Sequence, residues 1–179
     1  MYPNRRSIRL PYYDYTDEGA YFITICVAQY HCLFGQVGDR GVALNRVGQI
    51  ALTAWKELPT HFSRIQLDQF VVMPNHVHGI LFFSDKLQNL EQTGPQNAAS
   101  LHPLRTFGPL KAGELGTIVR SYKSAVTRQV NLLRQTPGHV LWQKNYYEHV
   151  VRDEPDLNRI RDYILTNPSR WVADKYYQS

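Results

Sequence analysis

The stretch Val71-Val72-Met73-Pro74-Asn75-His76-Val77-His78-Gly79-Ile80-Leu81 constrains the fold more than any other, because two histidines stand one residue apart inside an apolar run. Successive side chains of a strand point to opposite faces, so a strand here sends His76 and His78 to one face and Val77 to the other. Proline is awkward in a central strand. The run is therefore expected to break into a strand over 65–72, a tight turn over 73–75 and a further strand over 76–83. Two imidazoles side by side can share a divalent metal. The plainer alternative is a pair of half-buried histidines, each hydrogen-bonded to backbone.

A chain of 179 residues can bury one full core, and a single domain over 1–179 is expected. Hydrophobic residues at 43% and charged residues at 20% argue against disorder over most of the length. Twenty Lys and Arg stand against 15 Asp and Glu, a net charge of +5 that leans toward polyanionic partners. Aromatic residues interleave with the basic ones, and stacking plus phosphate contact are the two parts of single-strand binding. Two cysteines, Cys26 and Cys32, are too few for a disulfide scaffold. No apolar run reaches the ~18 residues that suggest a membrane span, so a cytoplasmic protein with no membrane partner is expected.

Residues 1–18 carry Arg5, Arg6, Arg9, Tyr12, Tyr13 and Tyr15 without an amphipathic period. They read as an extended arm, either a solvated terminus or a segment whose guanidinium groups meet phosphates while its tyrosines stack. A buried strand is expected over 20–28, rich in β-branched and aromatic residues. A small hairpin follows, then a helix over 47–58 with Asn45 as its cap and Pro59 as its stop. Residues 85–105 lose apolar period and gain Gly94-Pro95, Pro103 and amides, and are read as a mobile surface insertion. Helical spacing returns over 114–134. Lys111, Arg120, Lys123, Arg128 and Arg134 flank that helix as a solvated face or as nucleic-acid contacts, with Lys123 taken as a DNA-binding candidate. A fourth strand is expected within 141–152.

Asp153-Glu154-Pro155 opens the last helix and Pro168 closes it. Leu157, Ile160 and Ile164 form its packing stripe. Arg159, Tyr163 and Asn167 fall at i, i+4 and i+8, so they share another face. A hydroxyl nucleophile one turn from an amide that can ligate a metal is a useful arrangement, and equally the make-up of an ordinary helix surface.

Four stretches together resemble the REP-associated tyrosine transposases, within the single-tyrosine HUH transposases. They are Asn4 to Leu10 with Tyr13-Asp14-Tyr15 and Gly19-Ala20-Tyr21-Phe22; Met73 to His78; Trp142 to His149; and Arg152-Asp153-Glu154 through Tyr163 to Pro168. The resemblance implies an α+β fold, a ferredoxin-like or RRM-like antiparallel sheet backed by helices, of the HUH single-strand DNA nuclease kind. It implies His76, His78 and Asn167 as ligands of Mg²⁺ or Mn²⁺, and Tyr163 as nucleophile. The implied reaction is metal-dependent cleavage of single-stranded DNA beside a foldback hairpin, through a 5′-phosphotyrosine intermediate that is later rejoined. REP-like hairpins are the implied partner, recognised by Arg5, Arg6, Arg9 and Tyr13 of the arm, with the protein acting as monomer or homodimer.

Tyr122 lies on an apolar stripe and reads as core, and Tyr146 and Tyr147 sit in an aromatic run typical of a strand. Glu148 and His149 are either hydrogen-bond partners of the metal ligands or simply strand residues. Two other functions compete with the nicking enzyme. One is a domesticated DNA-hairpin binding protein with little turnover, the other a metal-dependent hydrolase that uses activated water.

Overall fold

In the computed structural model residues 19–83 and 114–177 are described. The centre is strand β1 (Ala20–Cys26), all seven residues of which are buried. Such a strand must be covered on both sides. Tyr21, Ile23 and Ile25 enter one apolar core, while Ala20 and Phe22 enter a second. The hairpin β2 (Gly35–Gly38) and β3 (Gly41–Leu44) stands apart as a two-stranded sheet.

Helix α1 (Arg46–Lys56) starts where Asn45 accepts hydrogen bonds from the amides of Val47 and Gly48, as its position before the apolar period predicts. Pro59 restarts the helix rather than stopping it. The one-turn α2 (Leu58–His61) carries Pro59 in its first turn, where a missing N–H leaves nothing unpaired. Strands β4 (Ile65–Val72) and β5 (His76–Phe83) form a hairpin, with Pro74 in the turn and the Met73 amide donating to the His76 carbonyl at 2.8 Å. Helix α3 (Glu114–Arg134), strand β6 (Tyr147–Val151) and helix α4 (Glu154–Thr166) follow, and a 3-10 segment (Pro168–Ala173) ends the regular structure.

The main sheet has the order β4-β5-β1-β6, antiparallel throughout. With α1 between β1 and β4 and α3 between β5 and β6, this is the split βαββαβ arrangement of ferredoxin-like folds. The sheet sorts the chain into two layers. Ile118, Tyr122 and Val126 of α3, with Ala51 and Trp55 of α1, fill the first core; Leu157, Ile160 and Ile164 of α4 fill the second. Gly79 on β5 shows how tightly the first layer closes, since a Cβ there would lie 2.2 Å from the Trp55 ring. No helix among the described residues is long and apolar enough to cross a membrane.

The first strand ends at Cys26, two residues earlier than expected. Val27 bridges to Trp142 and the Ala28 amide donates to the Leu141 carbonyl, which draws the chain out of the sheet. The arm residues Arg5, Arg6, Arg9 and Tyr13, and the insertion expected over 85–105, lie outside the described residues.

Candidate active site

His76 and His78 project from β5 toward α4, opposite Cys26 and Thr24 of β1. Both are buried, their Nε2 atoms lie 2.9 Å apart and their ring centroids 4.4 Å apart. Burial takes the imidazolium forms out of water, so both rings are neutral at physiological pH. His76 falls to about 4, with burial the main cause and the Asp174 carboxylate only partly offsetting it. His78 lies well below its usual value, through burial first and then its neighbours His76 and Lys175.

The hydrogen bonds behind the rings fix where the lone pairs point. Asn75 donates from Nδ2 to the carbonyls of Tyr30 at 3.0 Å and Tyr176 at 2.7 Å. Its Oδ1, 2.8 Å from His76 Nδ1, is therefore an acceptor. The His76 proton sits on Nδ1 and a lone pair on Nε2 faces His78. His78 Nδ1 is held by the Thr24 hydroxyl at 2.8 Å.

Tyr163 reaches this pair from α4, its hydroxyl 3.2 Å from His78 Nε2. The ring packs against His78 at 5.1 Å and edge-on to Phe22 at 6.0 Å. Burial raises its phenol, Asp174 adds to the rise and a hydrogen bond with Asn167 works against it, leaving it pushed up to about 12. Positive charge brought beside so raised a phenol favours its ionisation.

Asn167, one turn beyond Tyr163, is buried at the end of α4. Its Nδ2 donates to Asp174 Oδ2 at 2.7 Å, while its Oδ1 is buried with no hydrogen-bond partner. Asp174 has no counterpart in the sequence reading. Ligand atoms of His76, His78 and Asp174 all lie within 4.8 Å of one another, the one such group among the described residues. After Pro168 the chain turns back over the histidines, placing Tyr176 4.7 Å and Trp171 6.1 Å from His76 between ring centroids. The one sequence signal for this return is the aromatic content of 171–177, which carries no period.

Two neutral imidazoles, an orphaned amide oxygen and a carboxylate are a donor set suited to a divalent ion. The 2.9 Å between the Nε2 atoms matches two neighbouring ligand positions of an octahedral ion with bonds of about 2.1 Å.

A cleft of about 920 Å³ opens beside the tyrosine, walled by Tyr163, Tyr147 and His149 and rimmed by Arg159, Arg170 and Lys175. His149 shares the α4 side of the sheet but bonds Asp156 at 2.8 Å, away from the histidine pair. Glu148 pairs with Ile23, so its side chain lies on the opposite face of the sheet. Lys123 donates to the carbonyls of Gln143 at 2.6 Å and Lys144 at 3.3 Å, stapling the loop before β6 to α3. Of the rival tyrosines, Tyr122 is fully buried and donates to the Ala51 carbonyl at 3.2 Å, with a phenol raised far above its usual value by burial. Tyr146 packs against the first core, and Tyr147 stands at the cleft wall.

No family model matches the chain. A Haemophilus influenzae protein named only "Uncharacterized protein" is 37% identical over 174 residues, 97% of this chain and 93% of its own length. A second protein of that organism, "Putative REP-associated tyrosine transposase", is 22% identical over 156 residues, covering 87% of this chain and 73% of its own. The solved structure of a REP-associated tyrosine transposase bound to a REP hairpin matches the fold with a TM-score of 0.55 at 19% identity, over 99% of this chain and 89% of that one. Fold and distant sequence similarity both point to transposase-like, DNA-processing proteins. The chain thus shares the fold of a REP-associated tyrosine transposase and is distantly similar in sequence to a putative one.

Proposed function

We propose that this protein nicks and rejoins single-stranded DNA at foldback hairpins, with Tyr163 as nucleophile and Mg²⁺ or Mn²⁺ held by His76, His78 and Asn167. The observation that carries the reading is the 3.2 Å approach of the Tyr163 hydroxyl to His78, itself paired with His76. When bound, the ion supplies the positive charge that favours a phenolate and neutralises charge developing on the phosphoryl oxygens.

The other roles belong to the chain. Asn75 and Thr24 hold the imidazoles with their Nε2 atoms turned together, and Phe22 and His78 pack the ring of Tyr163, which lines the cleft. Arg159, Arg170 and Lys175 on the rim attract the phosphodiester backbone. Tyr163 Oη bonds to phosphorus as the bond from phosphorus to the 3′-oxygen breaks. The phenol loses its proton, the departing oxygen gains one to become a 3′-hydroxyl, and the 5′-phosphate stays on the tyrosine. The ester energy is kept, and attack by a 3′-hydroxyl reverses the step.

The test is incubation of end-labelled hairpin oligonucleotides with wild type and Tyr163→Phe, with and without Mn²⁺, resolved on a denaturing protein gel. A labelled covalent band that needs metal and vanishes in the variant supports the reading. Hairpin binding with no band in wild type points to a binding protein, and metal-dependent cleavage without a band points to water as nucleophile.

A further inference from the structure

We propose that the Asp174 carboxylate is itself a ligand of the metal ion, completing a two-histidine, one-carboxylate site that the chain closes only after its last helix. The inference rests on the metal-dependent reading above and assigns a donor that the His-x-His stretch and the Tyr163 helix do not contain.

Three observations converge. The first is position: a carboxylate oxygen of Asp174 shares with the ligating nitrogens of His76 and His78 a space no wider than 4.8 Å. The second is how it is held. Asp174 Oδ2 accepts from Asn167 Nδ2 at 2.7 Å and Oδ1 from the Tyr176 amide at 2.7 Å, so both oxygens are oriented and each keeps a further lone pair. That bond also turns the Asn167 amide so that its Oδ1 is left buried with no partner. Asn167 thus steadies the carboxylate and retains a donor oxygen of its own.

The third is charge. Two imidazoles and an amide are neutral and contribute none, whereas Mg²⁺ and Mn²⁺ favour hard, anionic oxygen ligands. The cation nearest Asp174 in sequence, Lys175, directs its ammonium over the rings of Tyr176 at 4.7 Å and Tyr147 at 5.4 Å. A divalent ion held by the carboxylate and the imidazoles would balance the negative charge of Asp174.

Metal binding is read directly, without DNA, by titrating the full chain with Mn²⁺ and following free Mn²⁺ by electron paramagnetic resonance. Wild type, Asp174→Asn and His78→Ala are compared. The isosteric asparagine keeps an oxygen for the Tyr176 amide, and a loss of about tenfold or more in Mn²⁺ affinity is expected from removing the charged ligand. His78→Ala is expected to lose binding outright. Asp174→Asn binding as tightly as wild type, while His78→Ala does not bind, overturns the proposal and leaves the histidine site standing. A wild type that binds no Mn²⁺ overturns both. Should Asp174→Asn fold poorly, anomalous scattering from Mn²⁺-loaded wild-type crystals decides. An Asp174 oxygen about 2.1 Å from the ion is expected, and an ion bonded to both imidazoles with Asp174 remote overturns the proposal.

Discussion

The Thr24 hydroxyl on β1 meets Nδ1 of His78 on β5 at 2.8 Å, directly across the strand pair. A hydroxyl both donates and accepts, so His78 can carry its proton on either nitrogen and remain satisfied. His76 has no such freedom, because Asn75 offers it only an acceptor. Thr24→Val keeps the shape and deletes the hydroxyl, stranding a buried ring nitrogen. A loss of about 1–3 kcal/mol is expected, read from urea unfolding. No change would mean that water replaces the hydroxyl.

Tyr163→Phe is expected to leave the fold intact. The ring keeps its contacts with Phe22 and His78, and one hydrogen bond at a half-buried site is worth about 1 kcal/mol. Thermal unfolding of the variant should therefore lie within a few degrees of wild type. Covalent attachment to labelled hairpin DNA is expected to vanish entirely.

Acid should destabilise the metal-free protein over a defined window. His76 titrates at about 4 in the folded chain against 6.5 for an ordinary histidine, and His78 is lowered as well. Between those values the unfolded chain binds more protons, so stability rises with pH across the window and is lost as pH falls from about 6.5 toward 4. Urea midpoints measured at several pH values in a chelating buffer report this slope. A flat profile would mean that the rings are hydrated and not buried.

Gly79→Ala tests the packing that holds β5 in place. The added Cβ meets Trp55 at 2.2 Å, and Trp55 is fully buried between Phe70 and Tyr122 with little room to retreat. Overpacking of this kind costs about 1–3 kcal/mol, visible as a lowered thermal midpoint. An unchanged midpoint would show that the α1 layer can shift outward.

Basic residues should separate by what their charges meet. Lys123→Ala removes the staple on the Gln143 and Lys144 carbonyls, so a lower unfolding midpoint is expected with little change in the salt dependence of hairpin binding. Arg170→Ala, on the cleft rim, is expected to weaken hairpin binding and to reduce the slope of log affinity against log salt by about 1, and Arg159→Ala, whose guanidinium already pairs with Asp156, by less. Filter binding over a range of salt concentrations distinguishes the two cases.

What the sequence by itself determined is what a local period can carry. The alternation of a strand put His76 and His78 on one face, and the helical repeat put Tyr163 one turn from Asn167. Proline and asparagine marked the β4–β5 turn and the start of α1 for equally local reasons of backbone geometry. Partners set by strand register or by a returning chain were not legible. Thr24 meets His78 because β1 pairs with β5 across 54 positions of sequence. His149 faces the cleft and Glu148 the opposite side because β6 pairs with β1 in one register out of two. The Lys123 ammonium meets backbone carbonyls only because α3 passes beside the loop at Gln143. Asp174 joins the histidines because aromatic packing of Trp171 and Tyr176 brings the chain back across the sheet after Pro168. Contacts of that kind depend on how separately formed elements bury their apolar faces together, and no short window of sequence contains both partners.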